Sequence, residues 1–176
     1  MEPKVWRIVP LLEAHARELL GWRYEGIYAL YNADEADVGE WMDGGCFACL
    51  DQDGALVGHF CFGPQGQVPT VEPDVYAADL LDIGLGLRPD LCGRGMGAAF
   101  VELGIAFARN AFGRENLRLT VAAFNERAIR VYKKCGFRIE REVTNARSQI
   151  AFYVMRREKS SETPPTDRPA SFFSQP

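Results

Sequence analysis

The chain is poor in the side chains that hold metals. Only two histidines, His15 and His59, are present, and the five cysteines (Cys46, Cys49, Cys61, Cys92 and Cys135) contain a single C-x-x-C pair. A structural zinc site closes with four ligands at defined spacings, so no metal is expected here. Cys46 and Cys49 fall in an apolar run that reads as a strand, where an odd spacing sends the two side chains to opposite faces. An odd number of cysteines spread through segments that read as buried suits reduced thiols acting as small apolar residues. No disulfide is expected, and the domain should fold without one. Concentrated charge is lacking too: 20 basic residues face 24 acidic ones, for a net charge of −4. The arginines and lysines are scattered and form no stripe for a phosphate backbone, which excludes nucleic acid as a partner. No apolar run reaches the roughly 18 residues needed to span a bilayer, and Met1-Glu2-Pro3-Lys4 does not open a signal peptide. The expectation is a cytoplasmic protein with no membrane partner. Internal repeats are absent.

Hydrophobic residues make up 47% and charged residues 25% of the chain, the mix of an ordinary globular domain. One domain over residues 1–156 is expected. Residues 157–176 carry four prolines amid serine, threonine and charge, a composition that cannot bury enough apolar surface to order itself. Within the domain, residues 4–9 alternate as a strand and Leu11 to Leu20 follow as a helix. An aromatic stretch holds Trp22, Tyr24, Tyr28 and Tyr31, and the acidic run from Asp34 to Asp43 reads as a short helix ended by Gly44-Gly45. Two apolar runs, 46–50 and 55–62, are joined by a turn with Asp53-Gly54, a hairpin signal. The proline- and glycine-containing segment 63–78 has no periodicity and reads as a long loop beside the site. Leu80 to Leu87 is a strand. The next helix places Met96, Ala99, Phe100, Leu103, Phe107 and Ala111 on an apolar face. Strands at 117–123, 137–143 and 149–156 and a helix from Asn125 to Cys135 complete the order, which implies a mixed sheet with helices on both faces.

Cys92-Gly93-Arg94-Gly95-Met96-Gly97 lies between a strand and a helix. There its backbone N–H groups and the unpaired donors of the first helical turn can converge on an anion. A helix N-terminus carries roughly half a positive charge, which favours a diphosphate without any metal. Gly93 to Ala98 also satisfies the dinucleotide pattern G-x-G-x-x-A, but that fold needs an acidic residue at the end of the next strand. This strand ends Val121-Ala122-Ala123-Phe124, and the loop comes too late in the chain for the remaining βαβ units. A Walker A loop is excluded because no Gly-Lys-Ser/Thr follows.

Further on, Asn125 can cap a helix that carries Tyr132 two turns later and stops at Gly136. The order of Arg88-Pro89, the glycine loop, a helix, a strand and Asn125-x-x-Ala128-x-x-x-Tyr132-x-x-x-Gly136-Phe137 resembles the GNAT superfamily of acyl-CoA-dependent N-acetyltransferases. The likeness runs over about residues 4–156. Leu81-Asp82-Ile83-Gly84 further resembles the branch that includes ribosomal-protein and polyamine acetyltransferases. The resemblance implies an α/β (α+β) fold with a mixed, largely antiparallel sheet of about seven strands. It implies acetyl-CoA as co-substrate and an amine acceptor, in a monomer or homodimer. In that frame Leu85, Gly86 and Leu87 pair with the pantetheine arm, and Cys92, Gly93, Arg94, Gly95, Met96 and Gly97 hold the diphosphate. Asn125 contacts the arm, and Tyr132 gives a proton to the departing thiolate. Position 92 departs from the pattern, since the family usually has Arg or Gln there, so weaker binding of acetyl-CoA is expected.

An acceptor amine with a pKa of about 10.4 is only about one part in a thousand neutral near pH 7.4, so a general base is useful. Some relatives place a glutamate where this chain has Thr120, which cannot serve. Asp82, acting through a water, is the expected base. Trp22, Tyr24, Tyr28, Tyr31 and Trp41 are candidates for an aromatic wall around the acceptor, though helical core explains most of them. The acidic residues between Asp34 and Asp43 read as a solvated helix face. The alternative to an enzyme is a domain that binds acyl-CoA as a sensor or assembly module.

Overall fold

A computed structural model of the chain describes residues 5–159. Seven strands, β1 (Arg7–Pro10), β2 (Cys46–Leu50), β3 (Leu56–Phe62), β4 (Leu81–Leu87), β5 (Leu117–Ala122), β6 (Arg138–Thr144) and β7 (Ala151–Arg157), form one sheet in the order β1-β2-β3-β4-β5-β7-β6. Every neighbouring pair is antiparallel except β4 and β5, which are parallel. Four helices, α1 (Glu13–Leu20), α2 (Glu35–Met42), α3 (Gly97–Phe112) and α4 (Glu126–Lys134), cover both faces. A 3-10 helix over Gly26–Tyr31 lies between α1 and α2. This is the mixed, mostly antiparallel sheet expected of a GNAT fold. The strand bounds move by one to three residues at their ends. The sheet runs through Arg157, and Lys159 donates its N–H to Asn116, so the ordered domain extends past residue 156. The tail expected to be disordered, with Phe172 and Phe173, otherwise lies outside the described residues.

Alternation along the strands sorts three clusters of core side chains, the smallest being Val75, Ala122, Val143, Phe152 and Val154. Cys46, Ala48 and Cys61 pack with Leu11, Ala16, Leu19 and Val38 under α1 and α2. On the other face Cys49, Val57, Phe60 and Phe62 join Ile83, Leu119 and the inner sides of α3 and α4. Cys46 and Cys49 thus face opposite ways. Cys46, however, stands directly across from Cys61 on β3, and the two form a disulfide. This overturns the expectation of reduced thiols, which treated each cysteine alone and had no register with which to pair them. Helix α3 turns Phe100, Val101, Gly104, Ile105 and Ala108 inward, while Ala99 and Ala111 are exposed. The buried stripe is therefore rotated from the one read in the sequence. Gly104 and Gly58 explain the rotation. A Cβ on either would stand 2.5 Å from the ring of Phe60 or Phe100, and without those atoms the two rings stack at 4.4 Å. Stacked, buried rings of this size are each worth a few kcal/mol of burial.

Candidate functional site

β4 and β5 pair only at Leu81 with Leu117 and at Asp82 with Arg118. Beyond that point they part, and a cavity of about 830 Å³ opens between Leu85 to Leu87 and Leu119 to Val121. Strand register decides which main-chain groups face it. Arg88 N–H donates to the Val57 carbonyl at 2.9 Å, and Leu87, Gly86 and Leu85 stand opposite Gly58, His59 and Phe60. Antiparallel pairs alternate between bonded and non-bonded. Gly86 therefore spends its N–H and C=O on β3, whereas those of Leu85 and Leu87 point into the gap. The Leu87 carbonyl is already occupied, since it accepts the Tyr24 hydroxyl at 2.8 Å and the Cys92 thiol at 3.5 Å.

The glycine loop closes one end of the cavity with Cys92, Gly93, Gly95 and Gly97. Gly93 (φ 71°) and Gly95 (φ 76°) are left-handed, a conformation that costs glycine little. The bend delivers the chain to the start of α3, whose first-turn amides have no acceptor within the helix. Cys92 turns its thiol inward onto the carbonyls of Leu87 and Arg88, at 3.5 and 3.6 Å. Burial pushes this thiol pKa up, and the charge of Arg127 opposes the rise in part. Arg94 is exposed and Met96 packs on the main core; neither lines the cavity.

Helix α4 supplies the opposite wall. Asn125 caps it, Oδ1 accepting from Ala128 N–H at 3.2 Å, while Nδ2 donates to the Tyr31 hydroxyl at 3.2 Å. Tyr31 and Tyr28 rest on Phe124, with centroids 6.3 and 6.2 Å apart, and the Arg127 guanidinium lies 4.6 Å above the Tyr28 ring. These contacts strap the 3-10 helix across the mouth of the gap. Tyr132 lines the cavity two turns into α4, its ring edge-on to Phe137 at 6.1 Å. Burial drives its phenol pKa well up, with smaller pushes from Tyr31, Cys135 and Cys92, so it holds its proton at neutral pH.

Asp82 is placed differently from the role expected of it. It is buried off the cavity wall, with Oδ1 accepting from Arg118 Nε at 2.6 Å. Oδ2 accepts from Arg118 Nη2 at 2.9 Å and from Gln67 Nε2 at 2.8 Å. Both oxygens are engaged in a bidentate ion pair with added support, and a carboxylate so committed is a structural element. The Asp82 motif was visible in the sequence. Its partner, 36 residues away, was not. Thr120 does reach the cavity, and its hydroxyl is bonded to that of Tyr76 at 3.0 Å.

All five aromatic candidates, Trp22, Tyr24, Tyr28, Tyr31 and Trp41, line the cavity. Asp34 and Asp37 line it as well, although each spends one oxygen on the start of α2: Asp34 Oδ1 accepts from Ala36 N–H at 2.8 Å and Asp37 Oδ2 from Asp34 N–H at 2.7 Å. Glu35 and Glu40 turn to solvent and pair with Arg17 and Arg147. His59 and Arg127 are among the wall residues that went unread in the sequence. His59, 5.7 Å from the Trp41 ring, packs where a Cβ on Gly86 would collide with it, and its buried Nδ1 has no partner. Burial pushes its pKa down to about 4, so it is neutral at pH 7. Arg127 left a clue in the sequence, because a cation in the first turn of a helix opposes the helix dipole.

The model of the Acetyltransferase (GNAT) family matches residues 13–137. Over 101 residues the chain is 31% identical to a mycothiol acetyltransferase of Propionibacterium freudenreichii subsp. shermanii, which covers 57% of this chain and 30% of that protein. Over 99 residues it is 30% identical to a mycothiol acetyltransferase of Cellulomonas flavigena, covering 55% and 28%. The chain thus spans less than a third of the length of these curated relatives. Among solved structures, a spermidine N-acetyltransferase SpeG chimera of Vibrio cholerae and hSSAT superposes with a TM-score of 0.64 at 16% identity, over 86% of this chain and 94% of that one. A Bordetella pertussis protein assigned to the GnaT-family acetyltransferases gives a TM-score of 0.63 at 18% identity, with the same coverage. At such identities the likeness shows the fold.

Proposed function

Because the chain belongs to the GNAT acetyltransferase family, we propose that it is an N-acetyltransferase taking the acetyl group of acetyl-CoA to a primary amine of a small molecule or a protein. One observation carries this reading: the gap between β4 and β5, the glycine loop and Tyr132 all open on the same cavity. The residues present fit the co-substrate. The left-handed glycines and the start of α3 offer main-chain donors to a diphosphate. Leu85 offers its N–H and C=O, and Leu87 its N–H, to the amide-bearing arm, and these N–H groups are the nearest donors for an acyl oxygen that gains negative charge. Bound there, the thioester supplies an activated acetyl group and a thiol leaving group.

Tyr132 is protonated at neutral pH and lines the cavity as a phenol from which the leaving sulfur can take a proton. Trp22, Trp41 and His59 line the acceptor side, with Asp34 and Asp37 contributing negative charge. With Asp82 locked to Arg118 and Thr120 bonded to Tyr76, neither residue is placed to remove a proton from the amine. An amine of lower basicity, such as an α-amine with a pKa near 8, therefore suits the site better than a lysine-like one. That commitment of Asp82 and Thr120 to other partners favours the competing reading, an acyl-CoA-binding module without turnover.

Thiol release from acetyl-CoA with a panel of spermidine, α-amino peptides and lysine peptides separates the two. The expected result is release with at least one amine, and a Tyr132→Phe variant that binds acetyl-CoA as before but turns over roughly a hundredfold more slowly. No calorimetric heat at millimolar acetyl-CoA would sink both readings, whereas binding without release from any amine leaves the module.

A further inference from the structure

The glycine loop presents a thiol at position 92, and a guanidinium reaches the same cavity from α4. Resting on the acetyl-CoA reading above, we propose that Arg127 is a positioning residue that supplies the side-chain contact to the diphosphate which Cys92 cannot make. At position 92 a thiol replaces the usual Arg or Gln, and although it lines the cavity it is short and bonds the Leu87 and Arg88 carbonyls. Its one donor, the S–H, is spent on those two carbonyls. Arg127 enters from the first turn of α4, lines the same cavity, and brings Nη1 to 3.5 Å from where a Cβ on Gly93 would stand. Its guanidinium therefore lies against the first glycine of the loop.

Two features tie Arg127 to an anion. No carboxylate among the described residues forms an ion pair with it, although Glu126, its neighbour, pairs with Arg130 at 3.7 Å. It also sits at the positive end of the α4 dipole, where a cation is unfavourable. Tyr28 holds it there by a cation–π contact at 4.6 Å. A half-buried guanidinium with no anion of its own, lying against Gly93 of the loop that leads into α3, adds a positive charge to that end of the cavity. A planar fork that donates two parallel hydrogen bonds matches a phosphate better than a lysine does. Gly93 leaves the space for it.

Calorimetry on the full chain tests this with two ligands, acetyl-CoA and S-acetylpantetheine, which lacks the diphosphate. Arg127→Met keeps the stem over Tyr28 and removes the charge. It is expected to weaken acetyl-CoA roughly ten- to a hundredfold, about 1.4 to 2.8 kcal/mol, and to leave S-acetylpantetheine unchanged. Arg127→Lys should fall between. Adding Cys92→Arg to the Arg127→Met variant should restore at least tenfold, because it returns the donor to the position the family uses. The proposal is overturned if Arg127→Met binds acetyl-CoA like the parent, if it weakens both ligands equally, or if Cys92→Arg rescues nothing. Failure of the parent chain to bind acetyl-CoA is a different result: it removes the functional reading itself, and with it this role for Arg127.

Discussion

Asp82 carries a family motif, and both of its oxygens are committed to Arg118 and Gln67. In the sequence it stands where an acidic residue invites a catalytic reading; in the structure it is a buried partner of Arg118. Removing one member of such a pair leaves an uncompensated buried charge and costs roughly 3–5 kcal/mol. Asp82→Asn should accordingly lower the urea midpoint by that order of stability while acetyl-CoA affinity stays nearly constant. Unaltered stability with a collapse in turnover would return the residue to the chemistry. His59 gives a second residue-level expectation. Its pKa of about 4 lies below the ordinary 6.5, so between those values the unfolded chain binds a proton that the folded chain refuses. The stability tied to His59 is complete above pH 6.5, is lost as the pH falls toward 4, and then levels off, by about 3 kcal/mol in all. Urea melts from pH 7 to 4 should show a shallower decline for His59→Asn than for the parent. Parallel declines would mean that His59 takes a proton in the folded state as easily as in the unfolded one.

At the scale of elements, the parting of β4 from β5 creates the site. Two paired residues hold the strands together at Leu81 and Asp82, and the buried pair of Asp82 with Arg118 lies at that fork. Past it, the odd-numbered residues of β4 have main-chain groups facing the gap while Gly86 is bonded to β3. Amide exchange followed by NMR should therefore find Gly86 protected with or without ligand, and Leu85 and Leu87 protected only when acetyl-CoA is added. Uniform protection of all three before ligand is added would mean that the gap is closed in solution. The sequence indicated the strands and the four helices, because apolar period, capping residues and glycine stops are local signals. It carried no sign of the 3-10 helix strapped over the gap, which depends on Asn125 reaching Tyr31 94 residues away.

For the molecule as a whole, no helix among the described residues is long and apolar enough to cross a membrane. The disulfide joins β2 to β3 inside the core beneath α1 and α2. It closes a short loop, and cross-links of that kind typically add about 2–4 kcal/mol. In denaturant without reductant three thiols should titrate, those of Cys49, Cys92 and Cys135, and five after reduction. Five before reduction would show that the bond is not formed. Reduction should lower the urea midpoint.

What the sequence determined by itself was the order of elements, the glycine loop, the capped helix bearing Tyr132 and, through their spacing, the family. Each of these is written within a few residues of chain, where backbone preferences and capping act. Tertiary structure alone decided that Cys46 meets Cys61, that Asp82 is bound to Arg118, and that Arg127 and His59 stand on the cavity wall. The reason is register. Which side chains face each other across strands and helices depends on how distant segments align, and a one-residue slip would turn every strand residue to the other face.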